Sequence, residues 1–131
     1  MRAPFELKLL ATPRAAPELR HRLREHDHDV RLCATELLTN VIDHVGEGTP
    51  VTVRVVAGAD RGCTRIEVTD PEPRAVPALL AATETWECGR GMALIDALAE
   101  RWGVDQEPGR KTVWCEVGSH GGSTGARSLH E

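Results

Sequence analysis

Glu36 and Asn40 stand four residues apart in the run Glu36-Leu37-Leu38-Thr39-Asn40-Val41-Ile42-Asp43-His44. At 100° per residue, positions 36, 40 and 43 fall within roughly 60° of one another on a helix, so they share a face. Leu37, Val41 and Val45 form the neighbouring apolar stripe, which places Glu36 at the border of a core. Partial desolvation there raises a carboxyl pKa and suits the group to general-base work. Asn40 offers a neutral carboxamide oxygen, a ligand type that a hard cation such as Mg2+ accepts. Further along, Gly89-Arg90-Gly91-Met92 brackets a turn that opens a helix. Its free backbone N–H groups and the positive end of the helix dipole suit a phosphate. Asp70 ends a β-branched run, where a carboxylate can accept a hydrogen bond from an exocyclic amine such as that of adenine, and Thr112 can hydrogen-bond near the same amine. Each feature alone is also what a solvated helix face, a glycine turn or an Asx turn before proline carries. Their order along the chain points to a site for a nucleotide and its metal.

The elements that must position these residues can be read from periodicity. Phe5, Leu7 and Leu9 alternate with Glu6 and Lys8, as in a strand with one buried face. Thr12-Pro13 predicts a capped helix to about His26, and Asp29 predicts the cap of a second helix reaching Val45, stopped by Gly46, Gly48 and Pro50. Val51–Val56 and Cys63–Thr69 read as a hairpin, and Pro71 and Pro73 end its second strand. Residues 74–88 read as a loop with a short helix near Val76–Ala82. A helix from Gly91 carries Leu94, Ile95, Leu98 and Trp102 on one face, and Lys111–Val117 is the last strand. The expected fold is a two-layer α+β sandwich, helices on one face of a mixed, mostly antiparallel sheet, over residues 1–117. Residues 118–131, rich in Gly and Ser, read as a flexible tail.

The bulk numbers narrow the class. A net charge of −4 with no clustered Lys and Arg argues against a nucleic-acid partner. No apolar run approaches the ~20 residues that span a bilayer. The four cysteines are spread without a Cys-x-x-Cys pair, and Cys33, Cys63 and Cys115 fall in predicted helix or strands, as expected of free thiols in a reduced, cytoplasmic protein. His21, His26 and His28 with Cys33 match no zinc spacing. Trp86, Trp102 and Trp114 read as core or lid packing.

Four of these motifs, in order over about residues 5–117, resemble the GHKL (Bergerat-fold) ATP-binding domains, above all the RsbW/SpoIIAB-like anti-sigma-factor serine kinases and their actinobacterial single-domain relatives. Glu36–His44 is similar to the N box, Val68-Thr69-Asp70 to the first glycine box, Gly89–Leu94 to the second, and Gly109–Trp114 to the closing strand motif. The resemblance implies that Asn40 holds Mg2+, that Glu36 is the general base, and that Asp70 selects adenine with Thr112 supporting it. It implies that the backbone of Gly89, Arg90, Gly91 and Met92 holds the phosphates of ATP. It also implies a STAS-domain anti-anti-sigma factor as phosphoryl acceptor, a sigma factor as second partner, and a possible homodimer. The sequence departs from the family after Asp70, where Pro71-Glu72-Pro73 replaces a glycine-bearing run, and the short lid carries no lysine, leaving Arg74 and Arg90 as the nearby cations for the phosphates. That departure opens an alternative: a partner-sequestering protein that keeps the fold and holds nucleotide weakly or not at all.

Overall fold

The computed structural model describes residues 4–58, 62–73 and 90–118. In chain order these form β1 (Phe5–Ala11), α1 (Ala15–Arg22), α2 (His28–His44), β2 (Thr49–Ala57), β3 (Cys63–Asp70), α3 (Arg90–Leu98), β4 (Arg101–Glu107) and β5 (Arg110–Gly118). The strands make one sheet in the order β1-β2-β3-β5-β4, and every pairing in it is antiparallel.

Alternation along the strands decides which residues face the helices. Val51, Val53 and Val55 of β2 register against Leu9, Leu7 and Phe5 of β1, and Val53 and Val55 against Val68 and Ile66 of β3. Val68 and Ile66 in turn oppose Val113 and Cys115 of β5. This inward row is buried with Val30, Cys33, Ala34, Leu37 and Val41 of α2 and with Leu19 of α1. Burying that stripe is what holds α2, since an exposed 17-residue helix of this composition has little stability of its own. Cys33 and Cys115 are free, buried thiols within this layer. A hydrogen bond with Cys33, then burial, pushes the Cys115 thiol well up.

Several boundaries differ from the sequence expectation. The helix expected to carry Trp102 ends at Leu98, and Trp102 lies in an additional strand, β4. The helical spacing Leu94-Ile95-Leu98-Trp102 overlaps there with a period-two row, Trp102 and Val104, that faces Cys115 and Val113. The backbone N–H of Glu100 donates to the Glu116 carbonyl at 2.8 Å, so ladder bonding has already replaced helical bonding at that point. Gly109, with φ of +80°, lets the chain turn tightly from β4 into β5. The sheet expected to be mixed is therefore antiparallel throughout its described strands. Helix α1 is shorter than expected and begins after Arg14, while Thr12 contributes its carbonyl to the Ala15 N–H rather than a side-chain cap. Asp27, not Asp29, occupies the cap of α2. The short helix expected near Val76–Ala82, Trp86, and the tail beyond Gly118 lie outside the described residues.

Candidate functional site

Helix α2 presents its site residues as the spacing requires. Asn40 is 5% exposed, Glu36 is half-buried and Asp43 is exposed. Burial raises the Glu36 carboxyl above its ordinary value of 4.5, and the neighbouring Asp43 carboxylate adds to the shift. Both causes favour the neutral acid, and both follow from a position at the edge of the core beside a like charge.

Across from α2, Asp70 closes strand β3. Its Oδ1 accepts the backbone N–H of Glu72 at 2.8 Å, an Asx turn of the kind a strand end before proline uses. Its Oδ2 accepts from the Nζ of Lys111 at 2.8 Å. Asp70 and Lys111 are cross-strand partners in the β3–β5 register, and their side chains are 0% and 2% exposed. The Lys111 ammonium also donates to the Glu72 carbonyl at 3.1 Å. A buried ammonium needs such a set, because each unpaired N–H would carry a desolvation cost.

Asn40, Asp70, Lys111 and His44 line one cavity between α2 and the ends of β3 and β5, with Leu37, Val41, Val45 and Val113. The Nε2 of His44 is buried and has no hydrogen-bond partner among the described residues. Within the described walls the cavity measures about 10 Å³, room for about one water. A larger cavity of about 530 Å³ opens where Lys8, Leu10, Pro50, Thr52, Pro71 and Arg110 meet; Asp70 borders it too, but neither Glu36 nor Asn40 lines it. The chemistry of the α2 residues, and not cavity size, therefore marks the candidate site.

The donor set suits a nucleotide in kind: a buried carboxylate on the sheet, a buried carboxamide and a half-buried carboxylate on the helix, and an imidazole nitrogen with no partner among the described residues. Within the described walls the α2 cavity is too small for a nucleotide, and the Lys111 side chain is one of those walls. Lys111 is thus the site residue that the sequence reading missed; of the cations it named for the phosphates, Arg74 lies outside the described residues and Arg90 opens α3. A signal was available. Lys111 sits in phase with Val113, Cys115 and Val117, so an inward lysine in a strand of that pattern must find an acid. Thr112, expected beside Asp70, is out of phase with it. Its hydroxyl shares a hydrogen bond with that of Thr69 at 2.7 Å, and this cross-strand pair projects to the opposite face of the sheet. Arg90, Gly91 and Met92 form the first turn of α3, and Gly89 lies outside the described residues.

The model of the histidine kinase-like ATPase domain matches residues 9–116. Over 83 residues, 63% of this chain and 78% of the relative, the chain is 55% identical to an uncharacterised protein of Streptomyces coelicolor. The crystal structure of the RsbU and RsbW domains of Rv1364c from Mycobacterium tuberculosis superposes with a TM-score of 0.62 at 22% identity, covering 88% of this chain. This chain spans 32% of that longer chain, so the likeness is one of fold, the RsbW-like GHKL fold. Because the family model covers most of the sequence, from the end of β1 to the end of β5, the chain belongs to the histidine kinase-like ATPase domain family.

Proposed function

We propose that the protein is a nucleotide-dependent regulator that phosphorylates a serine or threonine of a STAS-domain anti-anti-sigma protein and, free of that partner, sequesters a sigma factor. The observation that carries this reading is the meeting of Asn40 and Asp70 on one cavity, with Glu36 on the same helix face as Asn40 and its carboxyl raised by burial. Mg-ATP, when bound, supplies the phosphoryl group. Asn40 would hold Mg2+ through its carboxamide oxygen, and the ion would supply charge stabilisation to the phosphates. Glu36 takes the proton of the attacking hydroxyl, for which a carboxyl raised toward neutrality is better matched than an ordinary one. Such a transfer asks mainly for positioning and charge stabilisation, which a small set of residues can supply.

The test is transfer of labelled phosphate from Mg-ATP to a STAS-domain acceptor. Glu36→Ala is expected to lower the rate by about two to four orders of magnitude while the complex with the acceptor still forms. In the wild type the rate should fall as the pH drops through the raised Glu36 pKa, because only the ionised carboxylate accepts the proton. Transfer by Glu36→Ala at the wild-type rate would remove Glu36 from its role.

One observation favours a second reading, a sequestering protein that binds nucleotide weakly. Both oxygens of Asp70 already carry donors from within the chain. Asn40→Ala separates the two: it cripples the kinase and leaves partner capture by the sequestering protein unchanged.

A further inference from the structure

A nucleobase amine and the Lys111 ammonium are, from the side of Asp70, the same kind of group: each is a nitrogen donor that completes a buried carboxylate. In the structure the ammonium holds that place. It is fixed by the direct cross-strand register of positions 70 and 111, by the 2.8 Å contact with Oδ2, and by a second donation to the Glu72 carbonyl. Its stem helps to fill the cavity that Asn40 and His44 share, leaving about 10 Å³ within the described walls, against roughly 300–1,000 Å³ for ordinary small-molecule pockets. Lysine is also suited to leaving, since its charge rides on a four-carbon stem with rotatable bonds.

From this arrangement we propose that Lys111 is a built-in competitor for the nucleobase, so that nucleotide enters only when the lysine side chain releases Asp70. The inference rests on the reading of Asp70 as the base-recognising carboxylate. Two consequences follow. The apparent affinity is lowered by the small fraction of molecules in which Lys111 has swung away. Base selectivity is left as it is, because every nucleotide needs the same release and the same factor lowers the affinity for each.

The experiment is titration calorimetry of Mg-ATP and Mg-ITP, whose base carries an oxo group in place of the amine, on the wild type, on Lys111→Ala and on Asp70→Asn/Lys111→Ala. In the wild type, ATP and ITP should both bind weakly. Lys111→Ala should bind each of them about tenfold more tightly or better, with the ratio between the two kept. Measurable binding by Lys111→Ala where the wild type shows none supports the competitor equally. A folded Lys111→Ala that binds ATP no better than the wild type overturns it, and so does a gain for one nucleotide that the other does not share. Should Lys111→Ala lose its fold by circular dichroism, Lys111→Met replaces it and is read in the same way. If the double variant binds ATP as tightly as Lys111→Ala, the base is not read at Asp70, and the parent reading falls with the inference.

Discussion

On the inward face of β3 and β5, Asp70 and Lys111 pair with each other in a position almost closed to solvent. On the outward face of the same two strands and their neighbours, five charged side chains run in a chain. Arg54 meets Glu67 at 2.9 Å, Arg65 meets Glu67 at 2.6 Å and Glu116 at 3.3 Å, and Arg101 bonds Glu116 as well. The guanidinium of Arg65 also lies over the Trp114 ring, 4.2 Å from its centroid. The backbone is shared and the residue types are alike, yet the two arrangements differ physically. Outside, the inner members Glu67, Arg65 and Glu116 each have two charged partners and the arginines reach water, so the loss of one contact is absorbed by the others. Inside, the carboxylate and the ammonium have only short, fixed partners, and removing either leaves the other charged and poorly solvated. A network tolerates substitution, whereas a buried pair with few partners is opened most readily by something that replaces one member in kind. That is the property a ligand-gated site needs, and it appears on the face where Asn40 and Glu36 stand.

The comparison predicts its largest effect at the inward pair. Lys111→Ala or Asp70→Ala should each lower the unfolding free energy by about 3–5 kcal/mol, the usual result of stranding a buried charge. Asp70→Leu combined with Lys111→Met should recover most of that loss, because two apolar side chains of similar size need no partner. Urea unfolding of the singles and the double measures both numbers. Single losses below about 1 kcal/mol, no larger than a surface pair gives, would erase the distinction between the faces.

How much of this was legible in the sequence depends on which force sets each feature. The α2 face was legible, since 3.6-residue periodicity places Glu36, Asn40 and Asp43 together and sets Leu37 and Val41 against the sheet. The β2–β3 hairpin was legible from its β-branched runs, and the Asx turn from the Asp-Pro sequence. Strand β4 was not, because Trp102 satisfies a helical and an alternating pattern equally well and only pairing with β5 decides between them. Which acid the inward Lys111 meets was hidden for a related reason. Seeing it requires the register that sets Asp70 opposite it, and register is a property of two strands together. The same register removes Thr112 from the cavity by the one-residue step that reverses a side chain across a sheet.

A middle-sized effect is expected at Glu116, the most enclosed member of the outward chain, whose side chain is 3% exposed. Glu116→Ala deprives Arg65 and Arg101 of a shared acceptor, but both guanidinium groups retain access to water and Arg65 keeps Glu67. A loss of about 1.5–3 kcal/mol is expected, the range for charge-assisted hydrogen bonds. The same urea titration reads it. A loss equal to that of Lys111→Ala would mean that the outward face is as poorly solvated as the inward one, and the contrast would have to be drawn from geometry alone.

The smallest effect belongs to Arg54, at the open end of the chain, where the side chain is 45% exposed and faces Glu67 at 2.9 Å and Glu6 at 3.6 Å. Arg54→Ala should cost no more than about 1 kcal/mol, because an exposed pair gains little Coulomb energy in water and gives up side-chain entropy to form. Salt sharpens the point. At about 1 M salt the screening length shrinks to roughly 3 Å, so what Arg54 contributes should vanish, while the cost of Lys111→Ala should hardly change, because ions cannot enter between Asp70 and Lys111. Unfolding both variants at low and high salt therefore tests the comparison without relying on either absolute value. A Lys111→Ala cost that fell in step with that of Arg54→Ala would show that solvent ions reach the Asp70 carboxylate. A carboxylate reached by ions needs no displaced lysine to admit a ligand.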